Sequence, residues 1–385
     1  MREYEWMLAH GAAAEQIDAP ACLHRLLEQM EEGLSGRGRI PMLPSYLSTR
    51  IAVPEGAAGP VMDAGGTNLR TARAVLEGGK WRREELEKTA MPGTGGELSF
   101  REFYGALAHP LKRLGDSERV GLCFSYNVSL GRELDGVLDF WCKEVRVPEA
   151  VGRPVGASLR EALDCRAVHV LNDSVAAMLG AEDAQVGVIL GTGVNVCYAE
   201  RCDRIPKVPA DLRAEEMILS TEVGEFDGFP RSAFEDAVIA ASDAPDSAIA
   251  EKQCSGGYLG DIIAQIWRAA EAEGLLEGCP AADLGSVSRL LEEESDAPAA
   301  ALADIAVRRA AKIAAVLCAG PILRTGARHV RMAVEGSQYW RLTGFREHFH
   351  RELDRLLPEG ISYEILRTEN ACLIGAARAA FAEPM

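Results

Sequence analysis

The sequence Asp63-Ala64-Gly65-Gly66-Thr67-Asn68-Leu69-Arg70 decides the fold, because it places a glycine-rich turn between two apolar runs. Val61-Met62 leads into the turn, and apolar residues alternate with polar ones from Leu69 to Leu76, which predicts a strand, a tight turn and a second strand. The two glycines let backbone amides approach an anion without a Cβ in the way, and the threonine and asparagine add side-chain donors. One such turn fits an ordinary hairpin equally well.

A second hairpin of the same kind occurs more than a hundred residues later. Val186 to Leu190 is an apolar strand, Gly191-Thr192-Gly193 is a turn, and Val194 to Glu200 is a second strand. Two such hairpins predict a duplicated architecture, rather than a solenoid repeat, and a clamp for phosphate groups. Neither turn matches the dinucleotide fingerprint or the P-loop, which requires Gly-Lys-Ser/Thr before a helix.

A polar segment between the two hairpins carries the candidate catalytic residue. Val168 to Leu171 is an apolar strand that leads through Asn172-Asp173-Ser174 into a helix from Val175 to Leu179. Ligand-binding residues are common where a strand of an α/β sheet ends and a helix begins. Asp173 in isolation would be interpreted as a helix cap, and its pairing with Asn172 and the two hairpins favours a catalytic role.

The rest of the chain predicts a mixed α/β protein. Its length of 385 residues and its 48% hydrophobic residues suffice for two cores. Apolar spacing predicts further helices and strands in the following ranges: helices Gln16–Gly33, Arg231–Ala241, Tyr258–Gly274, Ala299–Leu317 and Leu373–Phe381, and strands Val330–Val334 and Ile361–Leu366.

Charge and cysteine content narrow the class of protein. Asp and Glu total 58 against 41 for Lys and Arg, and a net charge of −17 argues against nucleic-acid or anionic-membrane partners. The ten cysteines show no zinc-site spacing, which is typical of reduced thiols. The N-terminus lacks a signal-peptide layout, and the most apolar stretch, Ala310 to Leu323, is too short to span a bilayer. We therefore expect a soluble cytoplasmic protein.

Further segments extend the pattern from about Gln29 to Ala377: Met42-Leu43-Pro44-Ser45-Tyr46, Cys123-Phe124-Ser125-Tyr126, Trp141-Cys142-Lys143, Ser220-Thr221-Glu222-Val223-Gly224, Glu251-Lys252 with Ser255 to Gly260, and Val334-Glu335-Gly336-Ser337. In this order, together with the two turns and the segment around Asp173, they resemble the motifs of the hexokinase and glucokinase family, in the actin-like sugar kinase superfamily. The chain looks like a shortened and divergent member.

The resemblance implies two actin-like (ribonuclease H-like) α/β domains flanking a substrate cleft. Residues 57–171 plus 373–385 would form the small domain, and residues 1–56 plus 172–372 the large one. It also implies ATP and Mg²⁺ as cofactors and a hexose as the other small-molecule partner.

Carried over position by position, the resemblance implies three groups of site residues. Asp173 and Lys143 would be catalytic. The sugar would be bound by Ser125, Cys142, Lys143, Asn172, Asp173, Asn195, Glu222 and Glu251. The nucleotide would be bound by Asp63, Gly65, Gly66, Thr67, Asn68, Arg70, Gly191, Thr192, Gly193, Gly336 and Ser337, with Mg²⁺ near Asp63, held through water.

The sequence departs from the family pattern at several of these places. The family usually has Pro at Asn127, Thr at Cys142, Gly at Glu144, Trp at Val223 and Asp at Glu335. Asn370-Ala371-Cys372-Leu373 replaces the late Gly-Ser-Gly-Lys segment, and the chain is shortened between Glu277 and Arg328. These changes affect the choice of sugar and the nucleotide pocket more than the reaction type.

The implied reaction, a carbohydrate phosphorylation of the kind that opens glycolysis, transfers the γ-phosphoryl of MgATP to the 6-hydroxyl of a hexose. Asp173 would accept the hydroxyl proton and Lys143 would steady the developing charge. The alternatives are a non-catalytic sugar sensor on the same fold and a kinase for another sugar, such as an amino sugar. The departures from the family pattern leave room for a sensor, whereas Asp63, Lys143, Asp173 and the two turns argue against one.

Overall fold

The structure is a computed structural model that describes residues 2–141, 145–213, 215–293 and 297–385. Its strands are β1 (Leu43–Pro44), β2 (Ala58–Ala64), β3 (Asn68–Glu77), β4 (Lys80–Ala90), β5 (Arg119–Phe124), β6 (Asn127–Leu130), β7 (Gly136–Phe140), β8 (Ala167–Leu171), β9 (Val186–Leu190), β10 (Val194–Arg201), β11 (Glu216–Ser220), β12 (His329–Glu335) and β13 (Ser362–Leu366). Its helices are α1 (Arg2–Ala9), α2 (Ala19–Leu34), α3 (Phe100–Arg113), α4 (Val155–Leu163), α5 (Asp173–Gly180), α6 (Ala233–Ala241), α7 (Ile249–Cys254), α8 (Gly256–Ala272), α9 (Leu284–Glu293), α10 (Pro298–Arg324), α11 (Ser337–Arg341), α12 (Phe345–Leu356) and α13 (Ala371–Ala379).

Two mixed sheets share one plan, which confirms the duplicated architecture. One sheet has the order β4-β3-β2-β5-β8, and the other has the order β11-β10-β9-β12-β13 with β1 added beyond β11. In each, the three hairpin strands are antiparallel, and the last two strands run parallel to the first hairpin strand. The predicted α/β fold with two actin-like halves is therefore confirmed.

The sequence of a strand matches its central or edge position in the sheet. The apolar β9 (Val-Gly-Val-Ile-Leu) lies inside its sheet, as expected for a strand covered on both faces. The strand β4 is rich in Lys, Arg and Glu and forms a sheet edge, where charged side chains oppose pairing with other chains. The charges also hid β4 from the sequence analysis, because they mask the apolar alternation of a strand.

The short helices α5 and α13 join the two halves. The helix α5 packs on β9, β10 and β12 of one sheet, and α13 packs on β2, β3, β5 and β8 of the other. A Cβ on Gly180 of α5 would lie 1.9 Å from the carbonyl oxygen of Ala371, and a Cβ on Gly375 of α13 would lie 1.9 Å from that of Ala176. Only glycine allows the two backbones to come this close.

The domain boundaries implied above, at 171/172 and 372/373, stay a prediction. The packing of α5 and α13 on different sheets supports them, because it places these helices in different halves of the molecule. A shared apolar cluster between the sheets, which includes Val175, Met178, Leu373 and Ala376, connects the halves.

Helix α10 runs further than its sequence predicted. Pro321 lies inside the helix, three residues before its last residue, Arg324. Proline normally disfavours a helical residue before it through a clash with that residue's Cβ, but Gly320 has none. The absent Cβ also makes room for α2, since a Cβ there would lie 2.9 Å from Leu26 Cδ2. No helix in the described ranges is both long enough and apolar enough to cross a membrane.

We predict that Gly375→Ala lowers the free energy of unfolding by about 1–3 kcal/mol, because the added methyl overpacks the contact with α5. Urea unfolding measures the change. Gly105→Ala is the matched control: Gly105 lies in α3 with nothing within 4 Å of its Cβ position, so the change should be neutral or stabilise by up to about 1 kcal/mol. Equal stability of Gly375→Ala and the wild type would contradict the close contact.

Candidate active site

The first turn joins β2 and β3 and is flanked by a partly buried ion pair. Asp63 is 5% exposed, and its Oδ2 accepts a hydrogen bond from Arg70 Nη1 at 2.9 Å. The two residues face each other across the β2–β3 ladder, so the hairpin register itself sets this pair. Burial raises the pKa of the Asp63 carboxyl, while the Arg70 guanidinium opposes that rise. The nearby carboxylate of Asp173 raises it further.

The second turn is held by the start of a helix. The carbonyl oxygens of Gly191 and Thr192 accept hydrogen bonds from the amides of Gly256 and Gly257, at 2.8 and 3.0 Å. A Cβ on Gly257 would lie 2.6 Å from the Thr192 oxygen, so these glycines let α8 reach the turn. The sequence identified this segment only as part of the family pattern, and its support of the turn was not predicted, although the Gly-Gly pair at a helix start could have indicated it.

Gly336 lies directly against the second turn, as expected for two parts of one nucleotide site. Its φ is 122°, and a Cβ there would lie 2.1 Å from the Leu190 carbonyl oxygen, so no other residue fits. A Cβ on Gly191 would lie 3.3 Å from the Gly336 Cα. Ser337 follows as the first residue of α11.

Asn195 is the centre of a polar network between the turns. Its Nδ2 donates to Asn172 Oδ1 at 3.3 Å, to Ser220 Oγ at 2.8 Å and to Glu222 Oε1 at 2.7 Å. Its Oδ1 accepts the backbone amides of Val196 and Glu222, at 2.8 and 3.0 Å. Asn195 is 7% exposed, so in this structure it chiefly orients Asn172 and Glu222.

Asn172, and not Asp173, caps helix α5. Asn172 Oδ1 accepts hydrogen bonds from the amide and the hydroxyl of Ser174, at 2.8 and 2.7 Å. Asp173 is the first residue of the helix, and its Oδ1 lies 2.9 Å from the Ser174 amide. Asn172 therefore provides the N-cap of α5, and helix capping does not explain the aspartate at position 173.

Glu222 and Glu251 complete the cluster. Glu222 has a left-handed backbone (φ 57°), and burial raises the pKa of its carboxyl to about 7, with the Asp173 and Glu251 carboxylates adding to the rise. Glu251 Oε2 accepts the Val194 amide at 2.9 Å and lies 2.6 Å from the place of a Cβ on Gly193. The structure thus brings Asn172, Asp173, Asn195, Glu222 and Glu251 together beside the second turn.

The other predicted sugar residues lie beside the first turn or outside the residues that the structure describes. The Ser125 amide donates to the Ala64 carbonyl at 3.1 Å, so Ser125 lies beside the first turn. Cys142 and Lys143 lie outside the residues that the structure describes. Two supporting serines, Ser174 and Ser220, were missed, because hydroxyl groups that act through neighbours carry no pattern in a single sequence.

The oxygen ligands at the first turn suit a magnesium ion that is also bound by the phosphates of a nucleotide. Within the described ranges, no group of three or more His, Cys, Asp or Glu side chains could form a metal site by itself. Mg²⁺ commonly binds through one or two carboxylates, several waters and substrate phosphates, and the buried Asp63 next to a phosphate-type turn fits this pattern.

The strand order and the paired turns define a protein with the two-domain actin-like fold of sugar kinases. Two family profiles, both described as hexokinase, match residues 13–182, and residues 185–293 and 284–382. The chain belongs to the hexokinase family.

Relatives and solved structures agree with this membership. A chloroplastic hexokinase-2 of Nicotiana tabacum is 32% identical over 71% of this chain and 58% of its own length. Hexokinase-7 of Oryza sativa subsp. japonica is 27% identical over 88% of this chain and 87% of its own. Of these two relatives, the tobacco protein is the one of which this chain matches little more than half the length. A glucose complex of the Schistosoma mansoni hexokinase has a TM-score of 0.81 at 23% identity, with 99% of both chains covered. A glucokinase of the ROK family from Streptomyces griseus, in complex with glucose and AMPPNP, has a TM-score of 0.56 at 19% identity, with 84% of this chain and 99% of its own covered.

We predict that Glu222 makes the unliganded chain less stable as pH rises from about 4.5 to about 7. The contribution of this residue to the free energy of unfolding decreases over that range. The folded chain keeps Glu222 protonated up to about pH 7, whereas the unfolded chain ionises it near 4.5, so the unfolded state binds fewer protons in this window. Glu222→Gln removes the effect. Urea unfolding from pH 4.5 to 7.5 should show the wild type losing about 1–3 kcal/mol relative to Glu222→Gln.

Glu359→Gln, which changes an exposed carboxylate, serves as the control and should track the wild type at every pH. Parallel pH profiles for the wild type and Glu222→Gln would show that Glu222 ionises normally in the folded protein.

Proposed function

We propose that the chain is an ATP-dependent hexose kinase that transfers the γ-phosphoryl of MgATP to the 6-hydroxyl of glucose or a related hexose, with Asp173 as the general base. The observation that carries the proposal is the position of Asp173. It starts α5 directly after Asn172, whose Oδ1 accepts a hydrogen bond from Asn195 Nδ2 at 3.3 Å beside the second turn. The charge of Asp173 also adds to the raised pKa of the Asp63 and Glu222 carboxyls.

The polar network supports a polyol as the acceptor. Asn172 and Glu222 are held in fixed orientations by Asn195 and by the Ser220 hydroxyl, which donates to Glu222 Oε1 at 2.7 Å. Amide and carboxyl groups can each pair with neighbouring hydroxyl groups, and a site built this way rejects ligands that lack them. The glucose bound in the Schistosoma and Streptomyces structures favours a hexose among the polyols.

The two turns support ATP as the donor. The amides of Gly65 and Gly191 already donate to carbonyls within their own turns. The amides of Gly66 and Thr67 in the first turn, and of Thr192 and Gly193 in the second, would therefore hold phosphate oxygens, while Gly336 and Ser337 would meet the adenosine side. Mg²⁺, when bound near Asp63, neutralises charge on the transferred phosphoryl group. Lys143 stays the predicted source of a further positive charge. The Streptomyces glucokinase structure contains AMPPNP, an analogue of ATP, which supports ATP as the phosphoryl donor.

The proposed chemistry needs little covalent help from the protein. Most of the acceleration in phosphoryl transfer comes from positioning and charge stabilisation. Asp173 accepts the proton of the sugar hydroxyl as that oxygen attacks the γ-phosphorus. Closure of the two halves about the α5–α13 contact would exclude water and make transfer depend on a bound sugar. A cytoplasmic location stays a prediction from the sequence.

We predict that Asp173→Asn lowers the turnover number for glucose about 10²–10⁴-fold, because it removes the proton acceptor and keeps the shape of the side chain. Coupled detection of ADP release measures turnover. The dissociation constant for glucose, followed by intrinsic tryptophan fluorescence, should rise less than about tenfold, since the amide keeps the hydrogen bond to the sugar and only its charge assistance is lost.

Asp243→Asn is the control, because it neutralises an exposed carboxylate after α6 and should leave both constants unchanged. Near wild-type turnover in Asp173→Asn would remove Asp173 from the role of base. Sugar binding without any ADP release in the wild type would instead indicate a sensor.

A further inference from the structure

The hydroxyl of Tyr126 lies beneath the first turn and has no part in the mechanism above. Tyr126 Oη lies 2.9 Å from the carbonyl oxygen of Gly65 and 3.3 Å from that of Gly66, and it donates to these carbonyls. Tyr126 follows β5 and is 5% exposed. We propose that Tyr126 is a positioning residue for the nucleotide: it holds the first turn in the orientation that presents amides to a phosphate group. The inference rests on the proposed function.

Peptide geometry connects this hydroxyl to the amides on the other side of the turn. Every peptide bond in the described ranges is trans, and a trans peptide points its C=O and the following N–H in opposite directions. Carbonyl groups of Gly65 and Gly66 that face Tyr126 therefore point the Gly66 and Thr67 N–H groups away from it. Neither of these amides has a hydrogen-bond acceptor among the residues that the structure describes.

Two successive amides that point the same way form a concave site for an anion. The turn is otherwise held at its edges, where the Gly65 amide donates to Asn68 O at 3.0 Å and the Met91 amide donates to Thr67 O at 3.0 Å. The peptide between Gly65 and Gly66 is flanked by two residues without a Cβ, so its plane is freer to rotate than that of other peptides. A donor at the two central carbonyls removes that freedom before the nucleotide arrives, which lowers the entropy cost of binding.

An aromatic cluster fixes the position of the phenol. The Tyr126 ring lies edge-on to Trp141 at 5.0 Å between centroids and tilted against Phe124 at 4.9 Å. Trp141 Nε1 in turn donates to the Val147 carbonyl at 2.7 Å. The ring therefore has little freedom to move away from the turn, so the hydroxyl acts from a fixed point.

Tyr104 offers a comparison within the same cluster. It is 2% exposed and packs on Phe103, which in turn contacts Trp141. In the described part of the chain its hydroxyl makes no hydrogen bond to the first turn. Tyr104→Phe thus changes a buried phenol in the same core without touching the carbonyls of the turn.

The experiment measures binding of MgAMPPNP by isothermal titration calorimetry to the wild type, Tyr126→Phe and Tyr104→Phe, each as the full chain. Loss of one neutral hydrogen bond should weaken MgAMPPNP binding about three- to tenfold in Tyr126→Phe. Glucose binding should stay within about twofold of the wild type, and Tyr104→Phe should match the wild type for both ligands. Steady-state kinetics should show the same change in KM for ATP with kcat nearly unchanged.

Unchanged MgAMPPNP binding in Tyr126→Phe would overturn the inference. So would an equal loss in Tyr104→Phe, or a parallel loss of glucose binding in Tyr126→Phe, because either result would assign the effect to the aromatic core. A wild type that binds no MgAMPPNP would overturn both this inference and the proposed function. A wild type that binds MgAMPPNP but phosphorylates no hexose would contradict the proposed function alone, since the calorimetry on Tyr126 would still give its answer.

Discussion

The close contact between α5 and α13 is the constraint on which the rest of the structure depends. Gly180 and Gly375 bring the two helix backbones together, and Gly121 of β5 does the same on the other side of α13, where a Cβ would lie 1.8 Å from the Ala376 carbonyl oxygen. Since α5 belongs to one sheet and α13 to the other, this contact sets the distance between the two phosphate-type turns. It also sets the position of Asp173, which starts α5 and whose carbonyl lies 3.6 Å from Cys372 Sγ.

The departures from the family pattern are connected in space. Glu335, where the family usually has Asp, reaches the start of α13, and its Oε1 accepts the Ala371 amide at 2.9 Å. Ala371 belongs to the segment that replaces the family's Gly-Ser-Gly-Lys. A carboxylate at a helix N-terminus is favourable, and the longer side chain suits the changed segment. Burial raises the pKa of the Glu335 carboxyl, and the neighbouring Asp63 carboxylate adds to the rise.

Sequence patterns predicted the hairpins, the segment around Asp173 and the main helices, because each depends on local periodicity and glycine chemistry. The strand β4 was missed because its many charges mask the alternation that a buried face imposes. The hairpin of β6 and β7 was missed because strands of four and five residues are too short to show a clear period. At the site, the residue types could be predicted from the sequence, but which side chains contact one another could not. Asn195 as the centre of the network, Asn172 as the cap and Tyr126 beneath the turn all depend on long-range packing, which a single sequence does not encode as a pattern.

The central claim is that the two turns, the polar network and Asp173 together transfer a phosphoryl group to a sugar. The most direct measurement is phosphorus NMR of the wild-type chain incubated with MgATP and glucose. The account predicts that ADP and a sugar phosphate appear in equal amounts, with the phosphorus coupled to the protons at carbon 6. Release of inorganic phosphate in place of a sugar phosphate, or an ATP signal that stays unchanged while glucose binds, would contradict it.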